Sequence, residues 1–123
     1  METKPLNVFG KSLVECSLDP LTGFYRDGCC TTGTDDHGQH LVCIVASADF
    51  LIFSKKQGND LSTPLPAFQF AGIKPGDRWC LCASLWLEAY HAGQAPSVVL
   101  ESTNQKVLDV IPFEILLEFK HSE

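Results

Sequence analysis

Hydrophobic and polar positions change period several times along this chain, and each change marks an element. Leu41-Val42-Cys43-Ile44-Val45-Ala46 is a continuous apolar run of strand length, rich in β-branched residues, and it predicts a buried strand. Ser47 follows as an N-cap with Asp49 in the first turn. Phe50, Leu51, Ile52 and Phe53 supply an apolar face, Lys55 and Lys56 suit the C-terminal dipole, and Gly58 ends the pattern. A helix over about residues 48–57 is therefore expected. Arg78 to Ala92 contains no Gly or Pro and stops at Gly93, which predicts a helix with Leu81, Leu85 and Trp86 on one face and Cys82 and Ala89 beside it. Trp79-Cys80-Leu81-Cys82 also reads as a strand, in which Cys80 and Cys82 share a face; in a helix they point apart.

Ser97 to Ser102 and Val107 to Ile111, separated by a polar turn, predict a C-terminal β-hairpin. Pro112 suits the first position of a short closing helix with Phe113, Leu116 and Leu117. Before residue 40 the apolar positions lack a period. Asp19-Pro20, Gly23 and Asp27-Gly28 punctuate an ordered loop, with a polar stretch from Thr31 to Asp36. Pro64, Pro66 and Pro75 keep residues 59–77 irregular, and the alternation of Phe68 and Phe70 suggests a short edge strand there. The expected fold class is α+β: a small sheet including the hairpin, two or three short helices and a loop-rich N-terminal third, in a single globular domain over residues 1–123.

Composition narrows the function classes. A net charge of −6, with no basic run, argues against binding nucleic acid or an anionic membrane. No apolar stretch reaches the length of a bilayer span, and residues 1–6 lack the apolar core of a secretory signal. A cytoplasmic, reducing setting follows as the expectation, in which six cysteines are weak evidence for disulfides. A secreted chain would instead make them three bridges, with about 15 possible pairings.

Several blocks carry a resemblance. Asn7-Val8-Phe9-Gly10, the run from Cys16 to Cys30, Gly58 to Pro64 and Lys74 to Ala83 are similar to the motifs of domain-of-unknown-function family 2237, small Cys-rich proteins of bacteria and some eukaryotes. The resemblance spans nearly the whole chain and implies no activity. It does imply that Cys16, Cys29, Cys30, Cys43, Cys80, Cys82 and His40 occupy motif positions. This chain departs from it at Asn104, where the family carries His, and at Leu85, where it carries Arg. Those departures speak against an essential imidazole or a fixed cation at the two positions.

The cysteines admit three uses. In the first, Cys30 and Cys80 form a thiol or redox site with His40, since a reactive thiol needs a cation or a helix N-terminus beside it. Cys80 follows Arg78 at the expected helix start, while Asp27, Asp35 or Asp36 could orient His37 or His40. A vicinal Cys29–Cys30 disulfide is a variant of this use. Cys29, Arg26 and Asp27 are the accompanying binding candidates, although a turn-fixing role suits Arg26 and Asp27 as well. In the second use, zinc binds Cys29, Cys30, Cys80 and Cys82, with His37 or His40 replacing one of them and Cys16 and Cys43 in reserve. The absence of any C-x-x-C pair disfavours this. In the third, the cysteines are core packing in a non-catalytic binding or scaffold domain, which fits Cys43 and Cys82 best. The sequence favours a Cys-centred functional site built from residues 29–30 and 80–82. It reads Asn59 to Thr63 as turn chemistry, the two Trp as core, His91 as a helix-end residue and His121 as part of a frayed tail.

Overall fold

A computed structural model of the chain describes residues 5–18, 20–23, 25–33, 39–68 and 72–121. Asp35, Asp36, His37 and Phe70 lie outside the described residues. The fold is α+β. Its strands are β1 (His40–Val45), β2 (Arg78–Cys82) and β3 (Ser97–Val98), and its helices are α1 (Ala48–Lys56), α2 (Ala83–His91) and α3 (Phe113–Glu118). The strands form one antiparallel sheet in the order β2-β1-β3.

The central strand explains the apolar run. Leu41, Val42, Cys43 and Ile44 are all fully buried, because both faces of β1 are covered. Val42 and Ile44 join Leu81, Trp86, Val98 and Leu116 in the main core, whereas Cys43 belongs to a second, smaller cluster. Alternation of side chains along the strand is the reason for this division. An irregularity in the β1–β2 register falls between His40, opposite Cys82, and Val42, opposite Leu81.

The α1 signals act as expected. Ser47 Oγ accepts the Phe50 N–H at 3.1 Å, and Gly58, at φ +95°, takes the left-handed conformation that releases the chain. The buried residues are Phe50, Leu51 and Ser54; Ile52, assigned above to the apolar face, is exposed. Asp60 then accepts the N–H groups of Ser62 and Thr63 and the Thr63 hydroxyl, which is turn chemistry and holds its carboxyl below the ordinary range.

The single helix expected over 78–92 is instead β2 followed directly by α2. Pairing with β1 holds residues 78–82 extended, which no local helix propensity can offset, and α2 buries Ala83, Trp86 and Ala89. The Trp86 indole N–H donates to the Pro96 carbonyl, and its ring stacks on Tyr90 and meets the edge of Phe119.

The hairpin is also corrected. After the two residues of β3, Leu100–Ser102 and Gln105–Asp109 turn as 3₁₀ segments, so no return strand forms. The edge is closed by the C-terminal segment: Val98 donates to the Phe119 carbonyl, and His121 donates its N–H to the Val98 carbonyl. The tail at His121 is therefore pinned, with the His121 ring 3.3 Å from the Ser97 hydroxyl. Pro66–Phe68 is a 3₁₀ turn, and the edge strand suggested by Phe68 and Phe70 runs into residues outside those described. Among the described residues, no helix is long and apolar enough to cross a membrane.

Candidate functional site

Strand register creates the site. Cys43 of β1 lies directly opposite Cys80 of β2, on the sheet face away from Val42, Ile44 and Leu81. That face receives the N-terminal loop. Cys16 bonds to Cys43 and Cys30 bonds to Cys80, with Cα–Cα distances of 5.8 and 5.3 Å, inside the usual range for disulfides. The Sγ atoms of Cys16, Cys30 and Cys80 all lie within 4.8 Å of one another. The two disulfides therefore sit side by side, and their four cysteines are between 0% and 4% exposed. Val99 completes the buried cluster and Val45 packs against it. In chain order the bonds interleave, since Cys30 falls between Cys16 and Cys43 while its partner Cys80 follows both.

Hydrogen bonds hold the loop in register with the sheet. Cys16 and Ser17 both donate their N–H to the Gly28 carbonyl, and Gly28 donates to the Thr22 carbonyl. Thr22 Oγ1, buried, accepts the Cys80 N–H at 2.8 Å and so satisfies the outer edge of β2. Behind β1, Thr103 Oγ1 accepts the Cys43 N–H and donates to the Val99 carbonyl. The Asn104 side-chain amide donates to the Cys30 carbonyl at 3.0 Å. Gly28 has φ +85°, and a Cβ there would lie 3.1 Å from the Ser17 carbonyl oxygen, so this close turn favours glycine.

Arg26 and Asp27 shape this loop. Arg26 adopts φ +54°, donates from its guanidinium to the Gly23 carbonyl and lies 5.5 Å from the Trp79 ring centroid. Asp27 accepts the Cys29 N–H and the Thr31 hydroxyl. Trp79 is otherwise core, as expected.

The structure brings Cys30 and Cys80 together and leaves Cys29 and Cys82 as free, half-buried thiols. The vicinal Cys29–Cys30 bond is thus replaced by Cys30–Cys80. Cys80 sits inside a strand, so the helix N-terminus invoked above to activate its thiol is absent there. The converging sulfurs are those of Cys16, Cys30 and Cys80, with Cys43 bonded to Cys16, not the set drawn from residues 29, 30, 80 and 82. Cys43 is fully buried as expected, but as half of a disulfide; Cys82 is only half-buried. His40, half-buried, lies opposite Cys82 at the end of the strand pair. The alternative strand reading of residues 79–82 was the sequence feature that could reveal the site, because only a strand sets Cys80 against Cys43.

Cys29 is a poor nucleophile. Partial burial, then the charges of Asp27 and Glu15, push its thiol above the ordinary value. Less of it is thiolate at any pH below that raised pKa, so its labelling should climb only as pH rises through it. At about pH 8, iodoacetamide is expected to modify Cys29 more slowly than an unstructured peptide thiol, read by peptide mass spectrometry. Equal or faster labelling would contradict this assignment.

A groove of about 320 Å³ lies beside Cys30, lined in part by Thr31, Thr32, Asn104 and Lys106, with no cysteine in its wall. Over residues 6–120 the chain matches the model of a family described as an uncharacterized protein conserved in bacteria (DUF2237). No curated protein matches the chain.

Proposed function

For a chain that belongs to the DUF2237 family, whose description assigns no activity, we propose thiol–disulfide redox chemistry centred on the Cys30–Cys80 bond. The observation that carries this reading is the contact between two disulfides. The sulfur of Cys16, from one disulfide, lies within 4.8 Å of both sulfurs of the other. Exchange requires a thiolate to approach a disulfide sulfur. Once the Cys16–Cys43 bond has taken up two electrons and two protons from a dithiol, Cys16 Sγ lies beside both sulfurs of the second disulfide. Attack by the Cys16 thiolate on Cys30 Sγ forms a Cys16–Cys30 bond and releases Cys80 as thiolate.

In this reading Cys30 and Cys80 are the redox pair. Arg26 and Asp27 hold the loop that presents Cys29 and Cys30, and His40 stands at the end of the same strand pair. A second reading, a non-catalytic scaffold domain stapled by structural disulfides, is supported by the near-complete burial of all four sulfurs.

Graded glutathione redox buffers under native conditions, followed by acid quench, alkylation and mass mapping, separate the two. Redox function requires a disulfide to open while circular dichroism stays native, with Cys16–Cys30 appearing among the trapped pairs. Bonds that resist reduction until the chain unfolds would leave only the scaffold reading.

A further inference from the structure

The same four sulfurs can be read as a ligand set. The geometry points to a closed tetrathiolate site for a thiophilic divalent ion of the zinc class, formed by Cys16, Cys30, Cys43 and Cys80 when both disulfides are reduced. It rests on the reading above in one respect, that the bonds open within the native fold.

Distances support the site. A tetrahedral zinc with bonds of about 2.3 Å places its sulfurs about 3.8 Å apart. Cys16, Cys30 and Cys80 already lie within 4.8 Å of one another, so their unbonded separations need to close by about 1 Å at most. The fourth ligand, Cys43, is joined to Cys16 and pairs with Cys80 in the ladder; its sulfur lies outside the group of three and has the furthest to move. Each bonded pair would open by about 1.7 Å, from the disulfide length to the tetrahedral edge, a change that side-chain rotation can supply. The ligands come from two loop positions and two paired strands, and hydrogen bonds to Gly28, Asn104, Thr103 and Thr22 hold their backbones. Preorganisation of this kind substitutes for the missing C-x-x-C spacing.

Surroundings agree with a structural rather than a catalytic ion. Val99 and Val45 pack against the cluster, its cysteines are almost fully buried, and closed four-ligand coordination is the mark of structural zinc. Four thiolates around a divalent cation carry two net negative charges. Arg78 stands two residues before Cys80 on the same strand face. The balance is complete: a dithiol reductant supplies two electrons and two protons to each disulfide, and the four resulting thiols release four protons when the ion binds.

The test uses the whole chain. The protein is reduced anaerobically under native conditions, freed of reductant and titrated with cobalt(II) and with zinc(II). The expected result is one ion per chain, a cobalt spectrum of tetrahedral thiolate coordination, and protection of Cys16, Cys30, Cys43 and Cys80 from alkylation while Cys29 and Cys82 still label. A Cys29→Ser/Cys82→Ser variant should bind equally well, and Cys43→Ser should lose the tetrathiolate spectrum. If mass mapping proves both bonds reduced and less than a stoichiometric ion binds, or if the Cys29/Cys82 variant loses binding, the metal site is overturned while the redox reading stands. If neither bond opens short of unfolding, both are overturned.

Discussion

A Cys30→Ala/Cys80→Ala variant is expected to melt about 10–20 °C below the parent protein. The bond it removes closes a loop with a sequence separation of 50, and in the chain-entropy account such a closure stabilises the fold by about 4 kcal/mol. The Cys16–Cys43 bond, at a separation of 27, gives about 3.5 kcal/mol by the same relation. The two loops overlap, so the effects do not add, and reducing both should cost less than the sum. For a chain of 123 residues each kcal/mol lowers the melting temperature by about 4 °C. The loss is large against a total stability of about 5–15 kcal/mol. Calorimetry of the variant beside Cys29→Ser/Cys82→Ser provides the comparison. A drop of only a few degrees would mean that the loop is held by its hydrogen bonds to Thr22 and Asn104, not by the sulfurs.

Trp86→Ala should cost about 3–5 kcal/mol, the range for truncating a large buried aromatic side chain. Trp86 is fully buried and joins three parts of the chain. Its ring packs on Tyr90 within α2 and on Phe119 after α3, and its indole N–H satisfies the Pro96 carbonyl ahead of β3. Trp86→Phe keeps much of the packing but leaves that carbonyl unpaired, which costs about 1–3 kcal/mol where it is buried. Urea titrations of both variants give the two values. If Trp86→Phe were as damaging as Trp86→Ala, the hydrogen bond and not the packing would dominate at this position.

Local signals made β1, α1 and α3 legible. Ser47, Gly58 and Pro112 act through their immediate neighbours, and an apolar run such as Leu41–Ile44 needs no partner to announce burial. Residues 78–92 were harder, because the boundary between β2 and α2 at Cys82 and Ala83 carries neither Gly nor Pro. What ends the strand there is the end of the ladder with β1, a non-local fact. Val107 to Ile111 failed in the same way: the apolar alternation was real, but Val107 and Ile111 reach the core from a 3₁₀ turn and its exit.

The pairing of the cysteines was not legible in the sequence. Cys30 and Cys80 could be chosen as candidates from clustering, yet Cys16 and Cys43 could be placed beside them only once the β1–β2 register was known. That the vicinal Cys29–Cys30 bond does not form has a physical cause as well. Adjacent cysteines attract attention in a sequence, but consecutive side chains in extended backbone diverge, so Cys30 turns to the sheet while Cys29 stays with Asp27 at the loop.

The interleaved order of the bonds governs what happens when the chain is cut. Any single peptide cleavage between Cys16 and Cys80 falls inside at least one disulfide loop, so the two fragments stay covalently joined. A cut between Cys30 and Cys43 is spanned twice. A single cut over more than half of the chain therefore leaves its fragments joined until a reductant arrives, and in an oxidising setting a nicked molecule gains only the mass of one water.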